Sequence, residues 1–253
     1  MDPSRFDGFA RSISARLTRR AGLGMLAGAS LPIVGLIDAS GAKGKKITLC
    51  VDGKTVQKPK KKAKKLQKRG VGKGACRCGN GGPCTVFLTA AAFSGSEVGG
   101  LGGGDAKCQA AANAASLDGT FRAWLSAGSE TPGARFTNIA KAGPYRLVAN
   151  VGDGGNPPPI VAENFNDLLT CGTTCLNRAI NRDENGVAQG GNPGVWTGTR
   201  ADGTASTDTC GGWTSTAGFG LIGSGTSDTA LWTENVSGVC AGPLLLYCFQ
   251  QAT

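Results

Sequence analysis

The chain has 253 residues, enough for one or two domains, with ten cysteines, 42 glycines and no histidine. The missing imidazole excludes Ser-His-Asp and Cys-His catalysis and every histidine-containing zinc site. The formal net charge of +10 describes no single surface: residues 1 to 84 hold 19 of the 27 Lys and Arg but only four of the 17 acids, leaving the remainder net acidic, which excludes a uniformly basic globule.

Taken in chain order, Arg11, Arg16, Arg19 and Arg20 precede an apolar, Gly/Ala-rich stretch from Ala21 to Ile37 and then the small residues Ala39, Ser40, Gly41 and Ala42. This is the layout of a signal peptide over residues 1 to 42, with cleavage near Ala42. Gly22, Gly24, Gly28, Pro32 and Gly35 argue against a permanent spanning helix. The string TRRAGLG resembles a twin-arginine signal, with Ala21 and Gly22 where large apolar residues usually follow the pair. An extracellular or cell-surface location follows, and an even number of cysteines in an exported chain points to disulfides. An all-Cys zinc site using Cys76, Cys78 and Cys84 is the weaker alternative, because their spacing is not that of a zinc knuckle.

Residues 43 to 84 read as a short strand, ITLCVDGKTV, a lysine run, KPKKKAKKLQKRG, and a Gly- and Cys-rich linker. Lys58, Lys60, Lys61, Lys62, Lys64, Lys65, Lys68 and Arg69 are candidates for binding a polyanion such as anionic cell-wall polymer, acidic polysaccharide or nucleic acid. The alternative is a solvated linker. No aromatic residue interleaves the run, so sequence-specific nucleic-acid recognition is not expected.

From Thr85 the pattern changes. TVFLTAAAF reads as a strand; LGGGDAKCQAAANAASLDG reads as a helix capped at Asp105 after its glycine run; FRAWLS alternates as a strand; ENFNDLLTC reads as a second short helix. Turns and short strands follow, with a hairpin at Asp202-Gly203. The order predicts an α+β domain over residues 85 to 253, with two helices and a twisted, mostly antiparallel sheet.

The segments GGGDAKCQAAANAASLDGTFRAWLS, VWTGTRADGTASTDTCGGWTS and VCAGPLLLYCFQQ resemble, in order and spacing, the helix and strand, the central hairpin with its Cys-Trp turn, and the closing strand of endostatin, a C-type-lectin-like fold. Bacterial endostatin-like surface proteins, often known only as a domain of unknown function, are the nearest family. The resemblance implies nested disulfides, Cys108 with Cys248 and Cys210 with Cys240, leaving Cys171 and Cys175 as a possible local pair. Residues 47 to 76 resemble a small element seen after export signals in bacterial surface proteins, here without its histidines, which implies Cys50 with Cys76 and leaves Cys78 with Cys84.

The fold comparison also directs attention to ligand sites. WTENVSGVC lies where lectins carry their calcium ligands, making Glu234 and Asn235 the calcium candidates, with Asp208 and Asp228 as possible neighbours; no Glu-Pro-Asn or Gln-Pro-Asp string accompanies them, so no metal or other cofactor is expected. Arg122 and Arg135 stand nearest to the arginines with which endostatin-type domains hold acidic glycans. The four tryptophans are expected in the core, and Asp183-Glu184 lies in a turn string, NRDENG. Formylglycine-generating enzymes share the broad fold, but their motifs are absent. The expected function is therefore a monomeric, non-catalytic binding or adhesion module for a glycan or extracellular protein. The alternative is a structural wall-associated protein tethered to anionic polymer by the lysine segment.

Overall fold

The computed structural model describes residues 45–169 and 175–253, so the proposed signal segment lies outside the described residues. The described residues form one compact unit containing two sheets. The first belongs to the basic segment. Strands β1 (Lys46–Val51) and β2 (Lys54–Pro59) pair antiparallel in register from Lys46↔Pro59 to Val51↔Lys54. The two-residue turn between them uses Asp52 (φ 50°) and Gly53 (φ 71°), the left-handed pair a tight hairpin requires. Helix α1 (Lys60–Gln67) follows directly, and β3 (Gly72–Lys73) adds to the other side of β1. The lysine run is thus the end of a strand followed by a helix, with Lys60, Lys61, Lys62, Lys64, Lys65, Lys68 and Arg69 exposed.

The second sheet runs β10-β9-β8-β11-β4-β6-β7, with β5 also on β11. Its strands are β4 (Cys84–Leu88), β5 (Phe121–Ala123), β6 (Tyr145–Leu147), β7 (Ile160–Ala162), β8 (Gly194–Trp196), β9 (Phe219–Ser224), β10 (Val236–Val239) and β11 (Leu245–Gln250). Pairing is antiparallel except for β11 with β8 and β4 with β6, and together with the helices this gives the α+β class. The central strands are covered on both faces. Val86, Leu88, Leu245, Tyr247 and Phe249 enter a core with Trp124, Phe136, Phe165 and Trp232, whereas Phe87, Leu246 and Cys248 face α2 (Gly100–Ala114) with Trp196 and Trp213. All four tryptophans are fully buried.

Four disulfides pin these layers: Cys50–Cys76, Cys78–Cys84, Cys108–Cys248 and Cys210–Cys240. They suit an extracellular protein. Cys175 is also disulfide-bonded, while Cys171 lies outside the described residues. Among the described residues no helix is long and apolar enough to cross a membrane.

Several local expectations need correction. Helix α2 begins at Gly100 and runs through the glycines instead of starting at Asp105. A Cβ on Gly104 would stand 2.7 Å from Leu125 Cδ1, so the glycine permits close approach of helix to strand. The second helix, expected over residues 163 to 171, is a single 3₁₀ turn at Asn166–Leu168. Asn164 Oδ1 accepts from the amides of Asn166 and Asp167, and Asp167 Oδ2 accepts from Glu163 N, a local set of bonds that competes with helix. The Asp202-Gly203 hairpin reduces to one bridge, Thr199↔Ala205. Cys210, Gly211, Gly212 and Trp213 form a left-handed turn, all four with φ between 50° and 68°. It is held by the Cys210–Cys240 bond and by Trp213 Nε1 donating to Ser126 O at 2.9 Å.

Candidate polyanion-binding site

Residues 45 to 83 contain thirteen Lys and Arg against a single acid, Asp52, and no aromatic residue. Helix α1 sets their display. Ala63 is fully buried and Leu66 half-buried against β1 and β2, which fixes the inner face and turns the lysines outward. At 100° per residue, Lys62, Lys65 and Arg69 fall on one flank, Lys60 on the other, and Lys61, Lys64 and Lys68 along the outer crest.

Two grooves border the helix. One, of about 420 Å³, is lined by Lys45, Lys46, Lys60 and Lys73 with Ile47, Thr48 and Gly74. The other, of about 350 Å³, is lined by Lys58, Lys62, Lys65 and Arg69 around Leu66. The frame is braced: Cys76 N donates to Thr55 Oγ1 at 3.0 Å, and Asn80 Nδ2 donates to the carbonyls of Lys73 and Ala75 at 3.1 and 2.8 Å. Asn80 packs where Gly72 lacks a side chain, a Cβ there falling 1.8 Å from Asn80 Oδ1.

The charges oppose their own scaffold. Lysines at i, i+3 and i, i+4 repel, no acid sits in the first turn of α1, and Pro59 at its N-terminus provides no side-chain cap. Among the described residues the ion pairs are Asp105 with Arg122 and Arg135, and Asp153 with Arg182, so none of the thirteen cations is neutralised internally. Sequence reasoning selected the run from Lys58 to Arg69 but omitted Lys45, Lys46 and Lys73. The string ITLCVDGKTV, expected as one short strand, is a hairpin turned at Asp52-Gly53 that pairs Lys46 with Pro59 beside Lys60, while Lys73 arrives only through β3.

The other candidates are placed differently. Arg135, with its side chain 8% exposed, donates to Asp105 Oδ1 at 2.6 Å and to Leu125 O at 2.8 Å. Arg122 faces the same Asp105 at 3.8 Å and donates to Arg135 O, so both guanidiniums join α2 to the segment after β5. Glu234 Oε2 accepts from Ala201 N at 2.8 Å, Asp208 accepts from Ser237 Oγ, and Asn235 and Asp228 are exposed. Among the described residues no three His, Cys, Asp or Glu side chains converge on a metal position. Asp183 accepts from the amides of Asn185 and Val187, both at 2.9 Å, closing the turn expected there.

No protein-family model matches the chain, and it matches no curated protein.

Proposed function

We propose that the chain is an exported, non-catalytic tethering protein, in which the basic module of residues 45 to 83 holds an anionic polymer and the disulfide-stapled α+β domain is the head it carries. One observation bears the reading: thirteen cations and one acid on a folded module closed by Cys50–Cys76 and tied to β4 by Cys78–Cys84, with none of those cations in an ion pair among the described residues. Evolution of such a surface works against helix stability, which is intelligible where a ligand supplies the missing negative charge. The polymer meets lysines, not aromatic rings, so it is read by charge and not by base stacking.

The head follows an endostatin-like, C-type-lectin-like plan. Supporting this are the order β4, α2, β5, the tie from α2 to the closing strand through Cys108–Cys248, and the Cys210–Cys240 bond in the loop region. The disulfide frame supports export to an extracellular or surface location.

The test is retention of the purified protein on heparin-agarose over a salt gradient. Replacing Lys58, Lys62, Lys65 and Arg69 with Gln removes four of the phosphate- or sulfate-facing charges; elution should move to markedly lower salt and the slope of log affinity against log salt should shrink by about 3. An unchanged elution point would refute the tether.

A second reading, recognition of a glycan or extracellular protein by the head, is favoured by one feature. Val151 is fully exposed on a loop braced by Arg182 paired to both oxygens of Asp153 at 2.8 Å and by Asn150 donating to Gly186 O. A rigid loop that presents an apolar tip suits a contact surface. Under this reading Val151→Asp abolishes capture on a glycan and matrix-protein array; under tethering alone it changes nothing.

A further inference from the structure

The two grooves and the crest of α1 are separate features in space, but the helix phase makes them one path. Lys45, Lys46, Lys60 and Lys73 occupy one flank, and Lys58, Lys62, Lys65 and Arg69 the other. Between them Lys61, Lys64 and Lys68 stand on the outer surface of the helix, all exposed, spaced i, i+3 and i+7. Without the crest the flanks would be two independent sites, each able to take a short oligoanion. With it, cations at i, i+3 and i, i+4 spacing, Lys60 with Lys64, Lys64 with Lys61 and Lys61 with Lys65, step from one flank to the other.

We infer that a single flexible linear polyanion binds by crossing over α1, from one flank across the crest to the other, so that the module selects polymers by length. This rests on the tethering reading and adds the ligand class: a chain with anionic groups repeated along its backbone, long enough to occupy both flanks at once. Linking the two grooves through one ligand makes the second contact intramolecular, and affinity then rises more steeply with length than the count of charges on either flank predicts. The composition of the track fits this ligand. Ten of its eleven cations are lysines, mobile point charges that follow a flexible chain, and only Arg69 offers the planar fork suited to a fixed bidentate partner.

The experiment compares the full-length protein with Lys61→Gln/Lys64→Gln/Lys68→Gln, using tetraphosphate and long-chain polyphosphate as probes, with tetraglutamate and long poly-glutamate as the parallel arm. Glutamine keeps helix propensity close to that of lysine and removes repulsion, so the variant folds; a thermal melt verifies this. The crest variant should lose at least about tenfold in affinity for the long polymer at 0.1 M salt while its affinity for the matching short oligomer stays within about twofold. That difference on phosphate, on carboxylate or on both supports the crossing and names the source of the anion. Equal weakening of short and long probes, or no weakening of either, overturns it. Failure of the unmodified protein to bind any of the four probes instead removes the tethering reading itself.

Discussion

Lys61→Glu should stabilise the helix and weaken the polyanion binding proposed for it. Lys61 lies in the first turn of α1 and repels Lys64 and Lys65, each such pair being worth about 0.2–0.5 kcal/mol against the helix. Glutamate reverses both pairs, places the acid N-terminal to Lys65 in the favourable i, i+4 sense, and puts a negative charge at the positive end of the helix dipole, worth about 0.3–1 kcal/mol. Allowing for the solvent exposure of the side chain, the gain is about 1–2 kcal/mol, a factor of about 5–30 in an opening equilibrium. Native-state hydrogen exchange reads it directly: the α1 amides of the variant should be protected more strongly by that factor at low salt, with β4 and β11 unchanged. In about 1 M NaCl, where screening acts within about 3 Å, the difference should largely vanish. The same substitution should lower retention on heparin. Unchanged or reduced α1 protection at low salt would refute the claim that the charges strain their scaffold, and undiminished heparin retention would refute their role in binding.

Asp105→Ala should cost about 3 kcal/mol in chemical denaturation, because it strands the nearly buried Arg135 guanidinium and the Ala123 amide; polymer binding should not change. On the chain-entropy model, removing Cys108–Cys248, which closes a separation of 140 residues, should destabilise by about 5 kcal/mol, against about 2 kcal/mol for Cys78–Cys84, which closes 6; the order of denaturation midpoints checks this. The hydrogen bond from Arg182, aided by the Asn150 amide, holds the Asp153 carboxyl below the usual aspartate range. A depressed folded-state value means that the brace contributes fully above that range and is lost only as pH falls below it. Proteolysis of the loop carrying Val151 should therefore stay flat from neutral pH down to the ordinary aspartate range and rise progressively as pH falls from there toward the depressed value, whereas Asp153→Asn should expose the loop at every pH.

How far the sequence discloses the molecule depends on how local each determinant is. The strand starting at Thr85, the helix around Cys108 and the closing strand were legible because their apolar periodicity is local. The helix through Gly102, Gly103 and Gly104 was not, since glycine reads as a breaker and the compensating contact with Leu125 lies more than twenty residues away. The helix expected over residues 163 to 171 failed for the opposite reason: its apolar spacing was visible, but Asn164 and Asp167 satisfy the backbone first. In the candidate site the lysine run was plain. Its second flank was hidden, because Lys45 and Lys73 join it only through pairing of β1 with β2 and β3.

Charge segregation gives the arrangement its logic. The domain after Cys84 contains eight Lys and Arg against thirteen acids, and three of those arginines, Arg122, Arg135 and Arg182, are engaged with Asp105 and Asp153. The cations of the head are thus partly used to hold its own elements, while those of the module are left to solvent. On the proposed tethering, an anionic polymer would be attracted by one region and not by the other, and steering of this kind depends on the unbalanced charge more than on the total. The net +10 of the chain conceals this division. A tether that captured its own head would be self-defeating, since an acidic face close to the lysines would compete with the polymer. Keeping only Asp52 among thirteen cations, at the far hairpin turn from Lys58 and Lys60, avoids that competition within the module itself.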